Sequence, residues 1–225
     1  IGVRLVGSEM CIRDRSREAQ GLPENGIVFC CFNNSYKISS REFDIWMRII
    51  TKIDGSVLWL NIKDKLAKEN ICKAAQKRGV DPSRIIFANS LPMEEHLARY
   101  ALADIFLDTF NFNAHTTASE ALWSGLPVIT KLGESFAARV AGSLLAAVGL
   151  DELITHTELK YEELILQLAL DPEKLKKIKH KLNKNKLTEP LFDTELYVSH
   201  IEQSYLKAHD NYLLGNDPVN INISP

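Results

Sequence analysis

The sequence predicts a doubly wound α/β domain, in which helices cover both faces of a mostly parallel, Rossmann-like sheet. Two observations predict this fold class. Short apolar runs alternate along the chain with longer segments that have helical spacing. The apolar runs are continuous, which is typical of strands that are buried on both faces of a parallel sheet. A third observation, a C-terminal stretch with helical patterns only, predicts a helical extension after the sheet.

The predicted elements alternate from residue 27 onward. Strands are predicted over the apolar runs 27–32, 57–60, 84–88, 105–108, 127–130 and 153–155. The helices between them are predicted over 42–53, 67–78, 93–103, 117–123 and 136–148. Glycines at or just beyond three helix ends, Gly79, Gly125 and Gly149, are typical helix stops. The helical extension is predicted over 158–170, 172–186 and 194–214.

Composition excludes several classes of protein. The chain has 225 residues, of which 45% are hydrophobic, and a formal net charge of −2. One soluble domain with a sizeable core, or at most two small ones, is therefore expected, with no charge excess that would suggest a nucleic-acid or membrane partner. No apolar run is long enough for a membrane span. Four cysteines without a C-x-x-C pair predict free thiols in a reducing compartment, and so a cytoplasmic location.

We interpret the first residues of the chain as having a different origin from the rest. Residues 5–15, LVGSEMCIRDR, resemble the translation of a transposon-end adapter used in sequencing libraries. A genuine N-terminus is the alternative, but the unbroken match favours the adapter. We therefore expect an artefact over 1–15, one domain over 16–215 and a polar tail over 216–225. The natural polypeptide is then expected to continue upstream.

Three loops follow predicted strands at the edge where doubly wound sheets bind ligands. The first, residues 33–37, lacks the G-x-G-x-x-G of dinucleotide dehydrogenases and carries Asn34 and Lys37 instead. The second leads into PMEEHLARY, where His96 and Arg99 share one face of a predicted helix. A solvated loop lysine and a solvated surface helix are the competing interpretations of these two loops.

The third loop ends in the triplet His115-Thr116-Thr117, directly before an apolar helix. Backbone N–H groups at a helix start favour an anion, so a diphosphate is expected there, with Glu120 reaching a ribose hydroxyl one turn later. The competing interpretation is purely structural. Thr117 and Glu120 also fit the capping box T-x-x-E, and His115 would then be an ordinary loop residue.

Together these segments resemble one protein family. FCCFNNSYKI, RIIFANSLPMEEHLARY, the stretch 103–145 around the triplet and TEPLFDTELY are similar to the C-terminal catalytic half of protein O-linked N-acetylglucosamine transferases, the SPINDLY-like group. The resemblance covers about residues 16–215. It implies the second Rossmann-like domain of a GT-B glycosyltransferase, the domain that binds the sugar nucleotide. It also implies an N-terminal catalytic half and tetratricopeptide repeats in the same polypeptide.

The resemblance assigns roles to individual positions. Lys37 falls on the lysine that contacts the donor diphosphate and stabilises the departing UDP, so it is the expected catalytic residue. The expected donor-binding positions are Asn34, Leu91, His96, Arg99, His115, Thr116, Thr117 and Glu120. Three positions depart from the family pattern. Asn34 replaces a common glutamine, Met93 a lysine and Glu120 an aspartate.

The implied reaction transfers N-acetylglucosamine from UDP-GlcNAc to Ser or Thr of a protein acceptor. An Asp-x-Asp metal motif is absent from the sequence, so Lys37 and the helix start are expected to neutralise the diphosphate without a metal or other cofactor. The catalytic base is expected outside this chain, which alone should be inactive. Two alternatives stay open: a different donor, GDP-fucose or UDP-glucose, and a non-catalytic nucleotide-binding or scaffold module.

Overall fold

The computed structural model describes residues 16–223, so the proposed adapter segment lies outside the described residues. In the described chain, six parallel strands form one sheet in the order β3-β2-β1-β4-β5-β6. The strands are β1 Val28–Cys31, β2 Val57–Leu60, β3 Ile85–Phe87, β4 Ile105–Leu107, β5 Val128–Lys131 and β6 Ile154–Thr155. The predicted fold class, a Rossmann-like α/β domain, is confirmed.

The helices lie between and after these strands. They are α1 Ser40–Lys52, α2 Lys65–Gln76, α3 Met93–Arg99, α4 Thr116–Trp123, α5 Val140–Ala147, α6 Glu158–Leu170, α7 Pro172–Asn185 and α8 Thr194–Leu213. The last three confirm the predicted helical extension. Among residues 16–223, no helix combines the length and the apolar character that a membrane crossing requires.

The middle of the sheet is buried on both faces, as its continuous apolar strands predict. Every residue of β1, β2 and β4 is buried. Cys30 lies in register with Trp59 on one side and Phe106 on the other. Burial raises the pKa of the Cys30 and Cys31 thiols, so both act as core residues rather than as nucleophiles.

The strand order places the ligand site. β1 pairs with β2 on one side and with β4 on the other, so the chain reverses its direction of winding at β1. The loops that follow β1 and β4 therefore turn to opposite faces and leave a crevice between them. This crevice is where the loops with Lys37 and with the His115 triplet meet.

Packing from the outer helices reaches this crevice. Trp46 on α1 is fully buried, and its Nε1 donates to the hydroxyl of Tyr161 on α6 over 3.2 Å. The Tyr161 hydroxyl in turn donates to the carbonyl oxygen of Asp108 over 3.1 Å. A hydrogen-bonded pair of side chains from α1 and α6 thus fixes the backbone directly after β4.

Two predicted helices are shorter than their patterns indicate. The helix predicted over 93–103 ends at Arg99 and continues as a 3₁₀ turn, Tyr100–Leu102. The helix predicted over 136–148 is divided into a 3₁₀ turn, Phe136–Ala138, and α5. In the second case the carbonyls of Ala137 and Ala138 accept from Asn113 and Gly133, both at 2.8 Å, so loop contacts replace the first helical turn.

Candidate functional site

A cleft of about 330 Å³ opens beyond the C-terminal ends of β1, β2 and β3. Its lining consists of Phe32, Asn34, Asn61, Lys63, Ser90, Leu91, Met93, His96, Arg99, Thr117 and Glu120. Six of the donor-binding positions expected from the sequence are therefore together. Lys37 and His115 lie on the adjoining loops, and Thr116 begins α4. A larger hollow of about 400 Å³ lies beside β6 and α6 and contains none of these positions.

The start of α4 is left open by the residues around it. The helix begins at Thr116, and no side chain caps it. The N–H groups of Ala118 and Ser119 donate to the His115 carbonyl over 3.1 and 3.0 Å. Those of Thr116 and Thr117 have no partner among the described residues, so this terminus can accept an anion.

The capping-box interpretation of this segment is wrong. The Thr117 hydroxyl donates to Asn33 Oδ1 over 2.7 Å. Glu120 points instead toward α3 and the 3₁₀ turn that follows it, where the Tyr100 hydroxyl donates to its Oε2 over 3.2 Å. Both residues make long-range contacts because two other loops approach the start of α4.

A buried carboxylate organises the loop after β4. Asp108 is fully buried, and its Oδ1 accepts from the N–H groups of Thr109 and Ala114 over 2.8 and 2.6 Å. Its Oδ2 accepts from the Thr130 hydroxyl over 2.6 Å. Burial raises the pKa of Asp108 to about 7, although these hydrogen bonds oppose the rise. The loop before α4 is thus wrapped around one side chain.

Asn33 joins the loop after β1 to this arrangement. Its Nδ2 donates to the Thr109 hydroxyl over 2.8 Å, and more weakly to Asp108 over 3.4 Å. Its Oδ1 accepts from Thr117. Asn33 is 1% exposed, so water does not replace these bonds. One buried amide side chain therefore links the loop after β1 both to the loop after β4 and to the first turn of α4.

Lys37 lies at the end of the first loop and faces the third, the loop that precedes α4. Its Nζ donates to the carbonyl of Asn113 over 3.0 Å and lies 3.9 Å from the centroid of the Phe112 ring. Partial burial lowers the pKa of Lys37. The ammonium is therefore held in place beside the loop that leads to His115.

His96 has its tautomer set by its neighbours. Arg99 hydrogen-bonds to His96 Nδ1, and because a guanidinium can only donate, Nδ1 must accept. The ring proton then lies on Nε2, which is 3.3 Å from Glu120 Oε2. His96 and Tyr100 together orient the Glu120 carboxylate in the wall of the cleft.

Arg99 is a buried residue, which corrects the expectation of a solvated surface helix. Only 1% of it is exposed, its Nη1 donates to the Asn89 carbonyl over 2.7 Å, and its guanidinium lies 4.5 Å from the Phe32 ring centroid. Burial lowers the pKa of Arg99, but from a value so high that the group stays charged. The Arg99 guanidinium is therefore a fixed positive charge in the lining of the cleft.

The remaining expected positions are less constrained. Leu91 lies in the loop after β3, at the outer end of the cleft. Asn34 is exposed, with a 3.4 Å contact to the Tyr36 hydroxyl. Met93 is 62% exposed, so the rim of the cleft has an apolar side chain where the family pattern has a lysine. Asn61 Oδ1 is buried without a partner among the described residues, which leaves one acceptor available to a ligand.

Several residues of the site were not singled out from the sequence. They are Asp108, Thr109, Asn113, Tyr100 and Phe112. Asp108 had a usable signal, since it is a polar residue directly after a buried strand, but it was predicted as the end of that strand. Tyr100 stands in the apolar pattern of a predicted helix, and Phe112 lies between two asparagines of a predicted loop, so neither ring has a sequence signal for a role in the site.

The arrangement suits a ligand with an elongated anionic centre. The open start of α4 and the Lys37 ammonium come from two sides of the crevice, and both favour negative charge. The Glu120 carboxylate can accept from hydroxyl groups. The cleft beyond it, with Leu91 and Arg99, has room for a planar ring.

Known proteins resemble this chain over most of its length. A probable UDP-N-acetylglucosamine–peptide N-acetylglucosaminyltransferase SEC of Arabidopsis thaliana is 38% identical over 208 residues, which are 92% of this chain and 21% of the relative. A Caenorhabditis elegans UDP-N-acetylglucosamine–peptide N-acetylglucosaminyltransferase is 40% identical over 187 residues, 83% of this chain and 16% of that protein. The chain thus spans about a fifth of these relatives.

A solved structure agrees with the sequence comparison. An O-GlcNAc transferase mutant of Thermobaculum terrenum superimposes with a TM-score of 0.76 and 30% identity, covering 82% of this chain and 35% of that one. Residues 6–201 match the family model described as glycosyl transferase family 41. The resemblance that the loop motifs indicated is therefore confirmed, and the chain belongs to glycosyl transferase family 41.

Proposed function

We propose that this chain is the donor-binding half of a GT-B protein O-glycosyltransferase, which moves N-acetylglucosamine from UDP-GlcNAc to Ser or Thr of proteins. One observation carries the proposal. Lys37 and the open start of α4 meet at the crevice between β1 and β4, beside a cleft that contains Leu91, His96, Arg99 and Glu120. The names of the relatives supply the donor and the type of acceptor.

The diphosphate is the part of the donor that the site is best equipped to bind. When the bond between sugar and phosphate breaks, negative charge grows on the departing UDP. A fixed ammonium and two unpartnered N–H groups stabilise that charge without reorganising during the reaction. In this mechanism, Lys37 and the triplet 115–117 take the role that a metal ion has in many other transferases.

The nucleoside of the donor is recognised on the other side of the cleft. Uracil pairs with the backbone near Leu91 and packs by His96 and Arg99, while Glu120 accepts from a ribose hydroxyl. The contacts of His96 and Tyr100 hold Glu120 in an accepting orientation, which supports this role. The extra methylene of Glu120, relative to aspartate, is accommodated because Tyr100 reaches its tip.

Acceptor binding and proton removal belong to other parts of the enzyme. A preceding catalytic half and tetratricopeptide repeats of the same polypeptide supply these functions in the proposal, which is consistent with relatives several times longer than this chain. A cytoplasmic location goes with the buried, unpaired thiols of Cys30 and Cys31. The chain by itself binds the donor and transfers nothing.

Calorimetric titration of the 225-residue chain with UDP and GDP tests the proposal. We expect weak but measurable UDP binding, weaker GDP binding and no sugar transfer. Lys176→Ala, which removes an exposed lysine of α7, is the control for loss of charge alone. Absence of UDP binding would overturn the donor site, and tighter GDP binding would assign the chain to a fucosyl donor instead.

A further inference from the structure

Phe112 touches both residues that the proposed mechanism places on the diphosphate. The Lys37 ammonium lies 3.9 Å from the centroid of its ring. The His115 imidazole stacks on the same ring, with 4.8 Å between centroids and 26° between planes. Phe112 is 38% exposed and lies outside the buried core, so packing of the core does not explain its position.

The contacts of Phe112 join two loops that are far apart in sequence. Lys37 follows β1, whereas Phe112 and His115 lie between β4 and α4. The carbonyl of the next residue, Asn113, accepts a hydrogen bond from the Lys37 ammonium over 3.0 Å, so two consecutive residues contact the end of one lysine side chain. The His115 ring has two further contacts. Its Nε2 lies 3.3 Å from the Ala137 carbonyl, and the Phe136 ring lies edge-on to it with 6.3 Å between centroids.

A lysine needs such support because its ammonium is carried on a flexible four-carbon stem. An aromatic face attracts a cation, and the attraction is stronger when the cation is partly desolvated, as Lys37 is. Ordering that side chain before the ligand arrives removes a cost from binding. Because the same ring also stacks on His115, it holds the side chains of Lys37 and His115 in fixed positions relative to each other.

We propose that Phe112 is a positioning residue of the donor site, which holds Lys37 and His115 ready for one diphosphate group. The inference rests on the proposed function, since it assumes that these two residues meet the donor diphosphate. It assigns no contact between Phe112 and the donor itself. The ring acts through the ammonium and the imidazole.

Replacement by leucine and by tyrosine separates this role from simple packing. Phe112→Leu keeps an apolar side chain and removes the ring, whereas Phe112→Tyr keeps the ring. In titrations of the 225-residue chain with UDP, we expect Phe112→Leu to bind about threefold to tenfold more weakly, and Phe112→Tyr to bind as the wild type does. Tyr205→Leu on α8, which removes an exposed ring far along the chain from the donor-site loops, should change nothing.

A mutant cycle tests whether the ring acts through Lys37 and His115. In the Lys37→Ala/His115→Ala background, Phe112→Leu should weaken UDP binding by less than about twofold, because both groups that the ring positions are gone. A full additional loss in that background would show a direct contact between ring and donor, and would overturn the proposal. Equal UDP affinity of wild type and Phe112→Leu would overturn it as well.

An NMR measurement without ligand tests the contact between the Phe112 ring and Lys37. The ring should shift the NMR signal of the Lys37 ε-methylene, and the shift should vanish in Phe112→Leu and persist in Phe112→Tyr. An unchanged signal in Phe112→Leu would refute the positioning role even if UDP binding fell. Failure of the wild-type chain to bind UDP would instead overturn the proposed function and this inference together, so the two failures are distinguishable.

Discussion

At the scale of single residues, Lys37 is the side chain whose charge is expected to matter most. In the proposed enzyme, with this chain joined to its N-terminal catalytic half, Lys37→Ala should lower kcat by about 10²–10³, because the ammonium acts on charge that develops during bond breaking. UDP affinity should fall less. Lys37→Arg should restore little, since a planar guanidinium does not replace a compact ammonium held by Asn113 and Phe112.

Steady-state kinetics with UDP-GlcNAc and a peptide acceptor would measure both effects. Lys176→Ala should leave kcat unchanged, and wild-type turnover should survive EDTA. Near-normal kcat in Lys37→Ala would contradict the assignment. Loss of wild-type turnover in EDTA, with recovery in Mn²⁺, would contradict the metal-independent mechanism.

Asp108 gives the folded chain a pH dependence of a particular sign. Its pKa rises from 3.8 in the unfolded chain to about 7 in the fold, so the folded state prefers the protonated carboxyl. Between about pH 4 and pH 7 the unfolded state is the more ionised one, and stability contributed by this group falls as the pH rises through that window. The expected fall is on the order of a few kcal/mol.

Asp108→Asn should remove this slope, because an amide keeps an acceptor for the N–H groups of Thr109 and Ala114 and does not titrate. Urea denaturation of wild type and variant between pH 4.5 and pH 7.5 would show the difference in slope. Asp151→Asn, at an exposed aspartate, is the matched control. A parallel pair of curves for wild type and Asp108→Asn would rule out the raised pKa.

At the scale of secondary-structure elements, Asn33 links the start of α4 to the loop after β1 through a buried hydrogen bond. Asn33→Ala should lower the free energy of unfolding by roughly 1–3 kcal/mol, because the hydroxyls of Thr109 and Thr117 lose a buried partner. UDP affinity should fall with it, since the start of α4 is no longer fixed.

Urea denaturation and UDP titration would measure the two effects separately. The neighbouring Asn34→Ala removes the same group from an exposed position, so it should leave stability within about 0.5 kcal/mol of wild type. If both variants were equally stable, the buried network would not hold α4, and the start of that helix would be positioned by packing alone.

At the scale of the whole molecule, one complete parallel sheet with helices on both faces is expected to fold without further polypeptide. UDP that binds only the folded chain must stabilise it. At a UDP concentration of 100 times Kd, unfolding should cost about 2.7 kcal/mol more. Thermal denaturation with and without UDP would measure this, and Lys37→Ala should shrink the shift at a fixed UDP concentration. A midpoint that does not respond to UDP would contradict the donor site.

The fold could be predicted largely from the sequence because its signals are local. Six strands were found as apolar runs, since burial on both faces of a parallel sheet favours apolar side chains at most positions. The buried Thr130 and Thr155 near the ends of β5 and β6 are exceptions. Helix bounds were less accurate where loops compete for backbone groups. The carbonyl of Ala137 bonds to Asn113 rather than to the next turn of helix, and nothing near residue 137 encodes that choice.

The site divides in the same way. The sequence by itself determined the strands, the α/β class, the family and the positions of Lys37 and the triplet 115–117, because each depends on periodicity or on a short motif. Only the tertiary structure decided that Thr117 bonds to Asn33, that Glu120 meets Tyr100, and that Phe112 lies against Lys37. These contacts depend on which strands are neighbours in the sheet, and a single strand carries no local record of its neighbours.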